Sequence, residues 1–370
     1  TGTGGLTTVW ASGGYVWDGT KYVQVAANTP VWMSNKLHYY PEATNLQINS
    51  RQFDTGWTPT AEIVLTQDQI GLDGQANTAW TFTDNSTIEN SRISYITTPI
   101  TAGTQEVTGR FFVKKDADQS RFIRVQFAAG SNYRSIQINT ATGDTTDLSV
   151  VGASTVEVQL IGDWWMILIQ VTNSSGGQSA YYLYPANGSV WGVQDPTTTG
   201  SAVFGEVETF DNKTIAEVRG LPMIPTAGTA VTMDRTAYSF EGANHDNADG
   251  IWVCDWEVSA NANETAGDQS IINTDTQAAG WGLSYAAAAG TVRSYDGTST
   301  AEIIWTDGWL KDKPISVGVV YHASDAEFRS FADSNLGATT AYDGAFIGTS
   351  LVIMHRTTAG SIPAKMSNLR

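Results

Sequence analysis

Apolar and polar residues alternate one for one along several short stretches of this chain, and that period constrains the fold more than any other feature. Ile123, Val125 and Phe127 alternate with Arg124 and Gln126, and Val156, Val158 and Leu160 alternate with Glu157 and Gln159. Side chains two apart share one face of a strand, so each segment has a buried side and a wet side. Turn clusters separate such segments at Leu72-Asp73-Gly74, Lys114 to Ser120, Thr140 to Asp144 and Gly162-Asp163. A spacing of roughly a dozen residues between turns is that of sandwiches and jelly rolls. No stretch carries helical periodicity with caps. The predicted fold class is all-β: two antiparallel β-sandwich (jelly-roll) domains preceded by a short aromatic- and Gly-rich N-terminal arm.

Length supports the count, since 370 residues suffice for two cores. Apolar residues reach 41%, with 13 Trp, which excludes a disordered chain. The formal net charge of −17 argues against nucleic acid, whose phosphates need clustered Lys and Arg. No Lys or Arg occurs between Arg134 and Lys213. Anionic membranes are equally poor partners, and neutral glycans or a basic protein surface fit better. No apolar run reaches transmembrane length, and no basic segment followed by an apolar one opens the chain, so membrane insertion is not expected. A start at Thr1-Gly2 fits either loss of an initiator Met or cleavage from a precursor. The single Cys254 rules out an internal disulfide framework; its Trp-Val-Cys-Asp-Trp alternation predicts a small buried residue.

Residues 1–42 form the arm. Val-Trp recurs at Val9-Trp10, Val16-Trp17 and Val31-Trp32, separated by the hairpin signals Gly13-Gly14 and Asp18-Gly19. Too small to fold alone, the arm needs a surface, either its own domains or another chain. Trp10, Trp17 and Trp32 are the docking candidates. On the second alternative the arm could be removed without unfolding either sandwich. Residues 43–222 form the first sandwich, opened by Ala43 to Trp57, where Leu46 and Ile48 alternate with Gln47 and Asn49 as a first strand and Phe53 and Trp57 bracket a corner. Pro222 and Pro225 mark its end. Residues 223–370 form the second sandwich, of about seven strands. Its signals lie at Ser270–Thr274, Trp281–Tyr285, Thr291–Tyr295, Ala301–Trp305, Ile315–Tyr321, Phe328–Phe331 and Leu351–His355. Trp252, Cys254, Trp256 and Val258 are expected on one strand face, with Asp255 and Glu257 on the other.

Several motifs then carry a family resemblance through their order. Asn45-Leu46, Phe53 and Trp57 are followed by the Asp73-Gly74 turn, Phe111 to Asp118, Ser135 to Asp144 and Gly162-Asp163-Trp164-Trp165. Val203 to Glu208, Ile224-Pro225-Thr226 and Val231 to Arg235 complete the series. The order resembles modules of phage virion proteins (tail fibre, spike or decoration subunits). In these a carbohydrate-binding-type jelly roll is often followed by a concanavalin- or laminin-G-like sandwich. The resemblance implies no catalytic residues and no single ligand.

Glu206 and Glu208 are the strongest catalytic candidates. On a strand they share a face about 7 Å apart, a separation that glycosidase acid/base pairs can use. The competing reading is a solvated strand face in a very acidic chain, with no catalytic residue at all. Asp116 and Asp118, and Asp246 and Asp249 beyond His245, offer oxygen pairs for calcium but lack an EF-hand loop, so they read as polar turns with no metal or cofactor. His38, His245, His322 and His355 read as surface residues. The aromatics say more. Trp164 and Trp165 must point to opposite faces, as must Tyr181 and Tyr182, so one of each pair is outside the core or covered by the arm. Exposed rings stack on sugars, and Trp57, Trp80, Trp164, Tyr181 and Trp191 are the glycan-binding candidates. The expectation is a non-catalytic virion structural protein that adheres to a host-surface glycan. It would associate with other virion proteins and with copies of itself, a trimer being favoured. A glycan-active hydrolase and a secreted bacterial carbohydrate-binding protein are the alternatives.

Overall fold

A computed structural model describes residues 6–10, 12–33, 36–89, 91–117 and 121–234. Beyond these it describes 237–241, 249–258, 269–274, 282–286, 291–295, 300–304, 313–322, 327–333, 335–337, 340–341, 350–353 and 364–367. The alternating segments are strands, and every pairing between them is antiparallel among the described residues. Two six-stranded sheets make the first sandwich. One, the covered sheet, runs Ser154–Ile161, Trp164–Thr172, Glu106–Lys114, Gly200–Asp211, Ala79–Asp84, Ile63–Gln69. The other, the open sheet, runs Thr145–Val151, Asn132–Ile138, Phe122–Ala129, Gln178–Gly188, Ile93–Pro99, Thr58–Pro59.

Their facing sides bury one core, to which Ile123, Val125 and Phe127 contribute from the open sheet and Phe111, Val113, Ile167 and Ile169 from the covered one. Tyr181 stands at its centre, 5.2 Å from Phe111 and 4.9 Å from Phe127 between ring centroids. A buried phenol needs a polar partner, and its hydroxyl donates to the Glu208 carbonyl at 2.7 Å. Gly109 makes room for this cluster, since a Cβ there would lie 2.9 Å from the Phe127 ring.

The strand Trp164–Thr172 reads as a nearly unbroken apolar run because both of its faces are covered. Trp165, Ile167 and Ile169 enter the sandwich core. Trp164, Met166 and Leu168 enter a second core on the outer side, with Trp10, Val16, Tyr22, Val25 and Val31 of the arm. The arm therefore lies on its own chain. Its hairpin, Gly14–Trp17 with Tyr22–Val25, turns at Asp18, whose carboxylate accepts from the backbone N–H of Thr20 and Lys21.

The rest of the arm joins the C-terminal half. Leu6–Val9 pairs with Ala237–Glu241, and Lys36–Tyr39 pairs with both Trp32–Met33 and Ala364–Ser367. The expected division into 1–42, 43–222 and 223–370 is accordingly redrawn: the C-terminal sheets take strands from both ends of the chain. The short ladder of Ala43–Asn45 with Val231–Met233 closes the neck where the chain enters and leaves the first sandwich. A separable docking arm is not what forms, because arm residues complete ladders and a core that would otherwise be open.

Seven strands lie where the C-terminal signals predicted, to within a few residues at each end: Gln269–Thr274, Gly282–Ala286, Thr291–Tyr295, Thr300–Ile304, Ile315–His322, Glu327–Ala332 and Ser350–Ile353. Cys254 and Trp256 are buried as expected, and burial pushes the Cys254 thiol up to about 12. Glu257, expected to be wet, is buried against Lys36 of the arm.

Two local expectations fail. Leu46 to Ser50 is not a strand; only Ala43–Asn45 is. In this stretch Asn45, Gln47 and Ser50 are the fully buried residues, while Leu46 and Ile48 are half-buried. An irregular backbone must satisfy its polar groups without a ladder, and the amides do so. Asn45 donates to the Ile224 carbonyl and accepts from the N–H of Gln47 and Thr209. One helical turn, Ile215–Val218, also exists, held by a Thr214–Glu217 capping box. Four residues are too few to show a period.

Trp10 is wholly buried and Trp32 is 55% exposed. Trp10→Ala should cost about 3–5 kcal/mol and Trp32→Ala less than about 0.5 kcal/mol, measured by chemical denaturation. Equal, small losses would show that the arm contributes nothing to the core.

Candidate functional site

Glu206 and Glu208 do share a face of their strand, on the outer side of the covered sheet. A bulge opposite Phe112, where Phe111 pairs with Val207 but Val113 with Phe204, sets their phase. They are not solvated: both are fully buried. Partners distant in sequence supply the charge that their neighbours lack. Arg110, on the adjacent strand, donates from Nε to Glu208 Oε2 at 2.5 Å. Arg51 donates from Nε to Glu206 Oε2 at 2.7 Å and from Nη1 to Asp73 at 3.0 Å.

Arg110 spends its other nitrogens on the carbonyls of Leu221 and Pro222, and Glu208 Oε1 accepts from the N–H of Ile224 at 2.7 Å. Glu206 Oε1 accepts from the Ser50 hydroxyl at 3.0 Å. Burial pushes the Glu206 carboxyl up to about 7; the Arg51 charge opposes this, and the Glu208 charge adds to it. Each carboxylate is filled by its guanidinium and shut from solvent. The pair therefore clamps the loop at Ser50–Arg51 and the segment Leu221–Ile224 onto the sheet.

The remaining candidates separate by burial. Trp57 (6%), Trp80 (5%), Trp164 (6%) and Tyr181 (0%) lie in cores. A ring enclosed on both faces cannot stack on a sugar, so these four are corrected to packing residues. The indoles of Trp57 and Trp80 also donate to the carbonyls of Asn49 and Arg51, bracing the clamp loop. Trp191 is 40% exposed, with its ring edge-on to Phe122 at 5.0 Å. In the arm, Trp10 is buried, Trp17 packs edge-on to Tyr22 at 5.4 Å, and Trp32 faces solvent. Asp116 pairs with Arg121; Asp118, His245 and Asp246 lie outside the described residues, as do His355 and the side chains of Asp249 and His322. No group of three potential metal ligands occurs among the described residues. His38, expected at the surface, is buried beside the Tyr40 hydroxyl at 3.0 Å.

What sequence reasoning missed is the outer face of the open sheet. Register aligns Ser94, Tyr182, Gln126 and Ser135 in one row across it, and Tyr184, Arg124 and Gln137 in the next. Arg124 lies over the Tyr184 ring at 4.4 Å from its centroid, while Arg92 lies 5.3 Å from the Tyr182 centroid and 5.8 Å from that of Tyr184. These are cation–π distances. Arg124 is held by hydrogen bonds to Ser135 Oγ (2.7 Å), Gln126 Oε1 (2.8 Å) and Gln194 Oε1 (3.0 Å). The loop carrying Trp191 is pinned at one end of the face, where Gln137 accepts from Gly192 N–H and donates to the Val193 carbonyl.

The result is a fixed set of donors around one half-exposed ring, Tyr182, with Tyr184 buried (4%) beside the two arginines and Trp191 at the rim. Part of the signal was present: alternation put Arg124 and Gln126 on the wet face, and it required one tyrosine of the 181–182 pair to point out. The outward one is Tyr182. Nothing local marked Arg92, which the pairing of Ile93 with Leu183 brings in.

Fold and face together define an all-β protein of antiparallel sandwiches with a polar, aromatic sheet face. No protein-family model matches the chain, and no curated protein does. Among solved structures it is similar to mouse laminin alpha1 chain, domains LG4-5, at 13% identity. That superposition covers 77% of this chain and 86% of that one, with a TM-score of 0.25, too low to carry an argument.

The Glu206 shift has a thermodynamic consequence. A carboxyl whose pKa rises on folding binds its proton more tightly in the native state, so its contribution is greatest below the unfolded value and is lost as pH rises through about 7. Glu206→Gln removes this titration. The stability of wild type relative to Glu206→Gln should therefore fall between pH 5 and pH 8, measured by thermal unfolding of both proteins. A difference that is flat, or that grows with pH, would sink this assignment.

Proposed function

We propose that this protein is a non-catalytic, adhesive β-sandwich protein that holds a saccharide on the open sheet. The observation that carries the reading is the platform of Tyr182, Tyr184, Arg92, Arg124 and Gln126. A pyranose presents an apolar C–H face and a rim of hydroxyls. The half-exposed Tyr182 ring takes the first, and fixed amide and guanidinium donors take the second. Hydrogen bonds among Arg124, Gln126, Ser135 and Gln194 keep the donors in place before a ligand arrives, which lowers the ordering cost of binding. Trp191 at the rim offers a further stacking surface.

The buried ion pairs of Glu206 and Glu208 support the non-catalytic reading for that pair, since an acid and base need access to the glycosidic bond and to water. Membership of a phage particle, as a fibre, spike or decoration subunit assembled from copies of this chain, rests on the order of the sequence motifs. Antibody labelling of whole particles tests it; label found only off the particle removes that setting.

For the platform, wild type and Tyr182→Ala should be titrated against an array of immobilised glycans. Binding of at least one glycan by wild type, weakened tenfold or more by Tyr182→Ala (about 1.4 kcal/mol) with unchanged thermal stability, is the expected result. Failure of wild type to bind any glycan, or equal binding by the variant, would overturn the reading.

A further inference from the structure

We infer that the saccharide held on the open sheet is an acidic one, its carboxylate or sulfate held by the guanidiniums of Arg92 and Arg124 around the Tyr184 ring. This rests on the saccharide-platform reading above and specifies its ligand. The argument begins with an imbalance. The chain carries 37 acidic and 20 basic residues, so a basic side chain has acids to spare. Every other arginine with a described side chain has taken one: Arg51, Arg110, Arg121, Arg134, Arg219 and Arg329 each pair with a carboxylate. Arg92 and Arg124 form no ion pair among the described residues, although both lie close to one ring, 5.8 and 4.4 Å from the Tyr184 centroid, on either side of the strand that carries it.

Among the described residues, the two rows of the face around them carry no acid, for a topological reason. Its outward rows are Ser94, Tyr182, Gln126 and Ser135, then Tyr184, Arg124 and Gln137. Asp147, on the neighbouring edge strand, is held by Arg134 at 2.8 Å, and Asp195, in the adjoining loop, by the Thr197 hydroxyl at 2.7 Å. Burial lowers the Arg124 pKa; the Tyr184 and Tyr133 hydroxyls oppose this, the Arg92 charge adds to it, and no carboxylate contributes. An anion held by the two guanidiniums would relieve the repulsion between them.

The donors are also available. A guanidinium has five N–H groups. Arg124 uses three in fixing its position and Arg92 one, a 3.4 Å bond to the Tyr184 hydroxyl. Arg124 is thus a set anchor and Arg92 the more adjustable partner. The net charge of −17 pointed to neutral glycans, but charge acts locally: at physiological ionic strength fields decay over about 8 Å, so the face presents its own two cations to a ligand.

The test uses the full chain and paired probes: oligogalacturonate against its methyl ester, and dextran sulfate against dextran, followed by isothermal titration. One or both anionic forms should bind at least tenfold tighter than the uncharged counterpart, and weaken as salt rises; which pair shows the effect separates carboxylate from sulfate. Arg92→Gln and Arg124→Gln should each lose at least tenfold for the anionic form, and lose more for it than for its uncharged counterpart. Arg124→Lys, which keeps the charge, should retain more than Arg124→Gln, and Arg92→Gln serves if the Arg124 variants do not fold.

Equal binding of acid and ester and of sulfate and dextran, or acid binding unmoved by Arg92→Gln, overturns the inference. If neutral glycans then still bind through Tyr182, the platform reading stands without it. If no saccharide of either kind binds, both fall. Tighter binding of a single-stranded oligonucleotide than of any acidic saccharide also overturns it.

Discussion

The buried ion pair between Arg110 and Glu208 is the contact on which the arrangement of the first sandwich turns. It joins adjacent strands of the covered sheet and, through the remaining Arg110 nitrogens and Glu208 Oε1, binds the segment Leu221–Ile224 to that sheet. Beside it Arg51 ties Glu206 to Asp73 and draws in the loop after the first strand. Taking such charges out of water is costly, and the cost is recovered only where geometry is good and every remaining donor is filled. Arg110 meets that condition, with the Phe112 and Phe210 rings beneath its guanidinium. Loss of either partner would leave a bare charge in a dry site, which is far worse than never having had the pair. The clamp thus fixes where the irregular segments lie, in a region with few ladder bonds to do so.

From that clamp follows the asymmetry of the sandwich. One sheet is covered on its outer side by the arm hairpin, the helical turn Ile215–Val218 and the clamped segments, and around the buried ion pairs its outward residues Phe112, Trp164, Met166, Leu168 and Phe210 are apolar. On the opposite sheet the outward residues are tyrosine, arginine, glutamine and serine; Arg92, Ser94, Arg124, Gln126 and Tyr182 are half-exposed, while Tyr184, Ser135 and Gln137 are buried. The saccharide platform we propose lies on the open face, since the covered face has taken up the arm.

The arm also changes what the C-terminal strands are. Leu6–Val9 and Lys36–Tyr39 extend ladders that begin near the other end of the chain. Edge strands left without partners invite pairing with other chains, and these additions occupy two such edges. The first sandwich then sits between two visits of the chain to the same pair of sheets, joined at the neck of Ala43–Asn45 and Val231–Met233.

Strand positions were legible in the sequence wherever one face is wet and the other dry, as at Ile123–Phe127, because alternation is a local consequence of burying one side. The burial of Cys254 and the opposed faces of Tyr181 and Tyr182 were legible for the same reason. Alternation misled at Leu46–Asn49, where hydrogen-bond demand rather than apolar burial chose the inside residues, and at Glu206 and Glu208, where an even spacing of acids concealed two buried ion pairs. Their partners lie 155 and 98 positions away, and no local pattern records which distant strand will arrive opposite. Which tyrosine points outward, and that Arg92 joins Arg124 over one ring, was decided by register between strands far apart in the chain. The sequence by itself determined the period, the turns and so the all-β class, since these depend on neighbours two residues apart. The tertiary structure alone decided which face the arm would cover and which charges would meet, since those depend on long-range pairing that only the closed sandwich specifies.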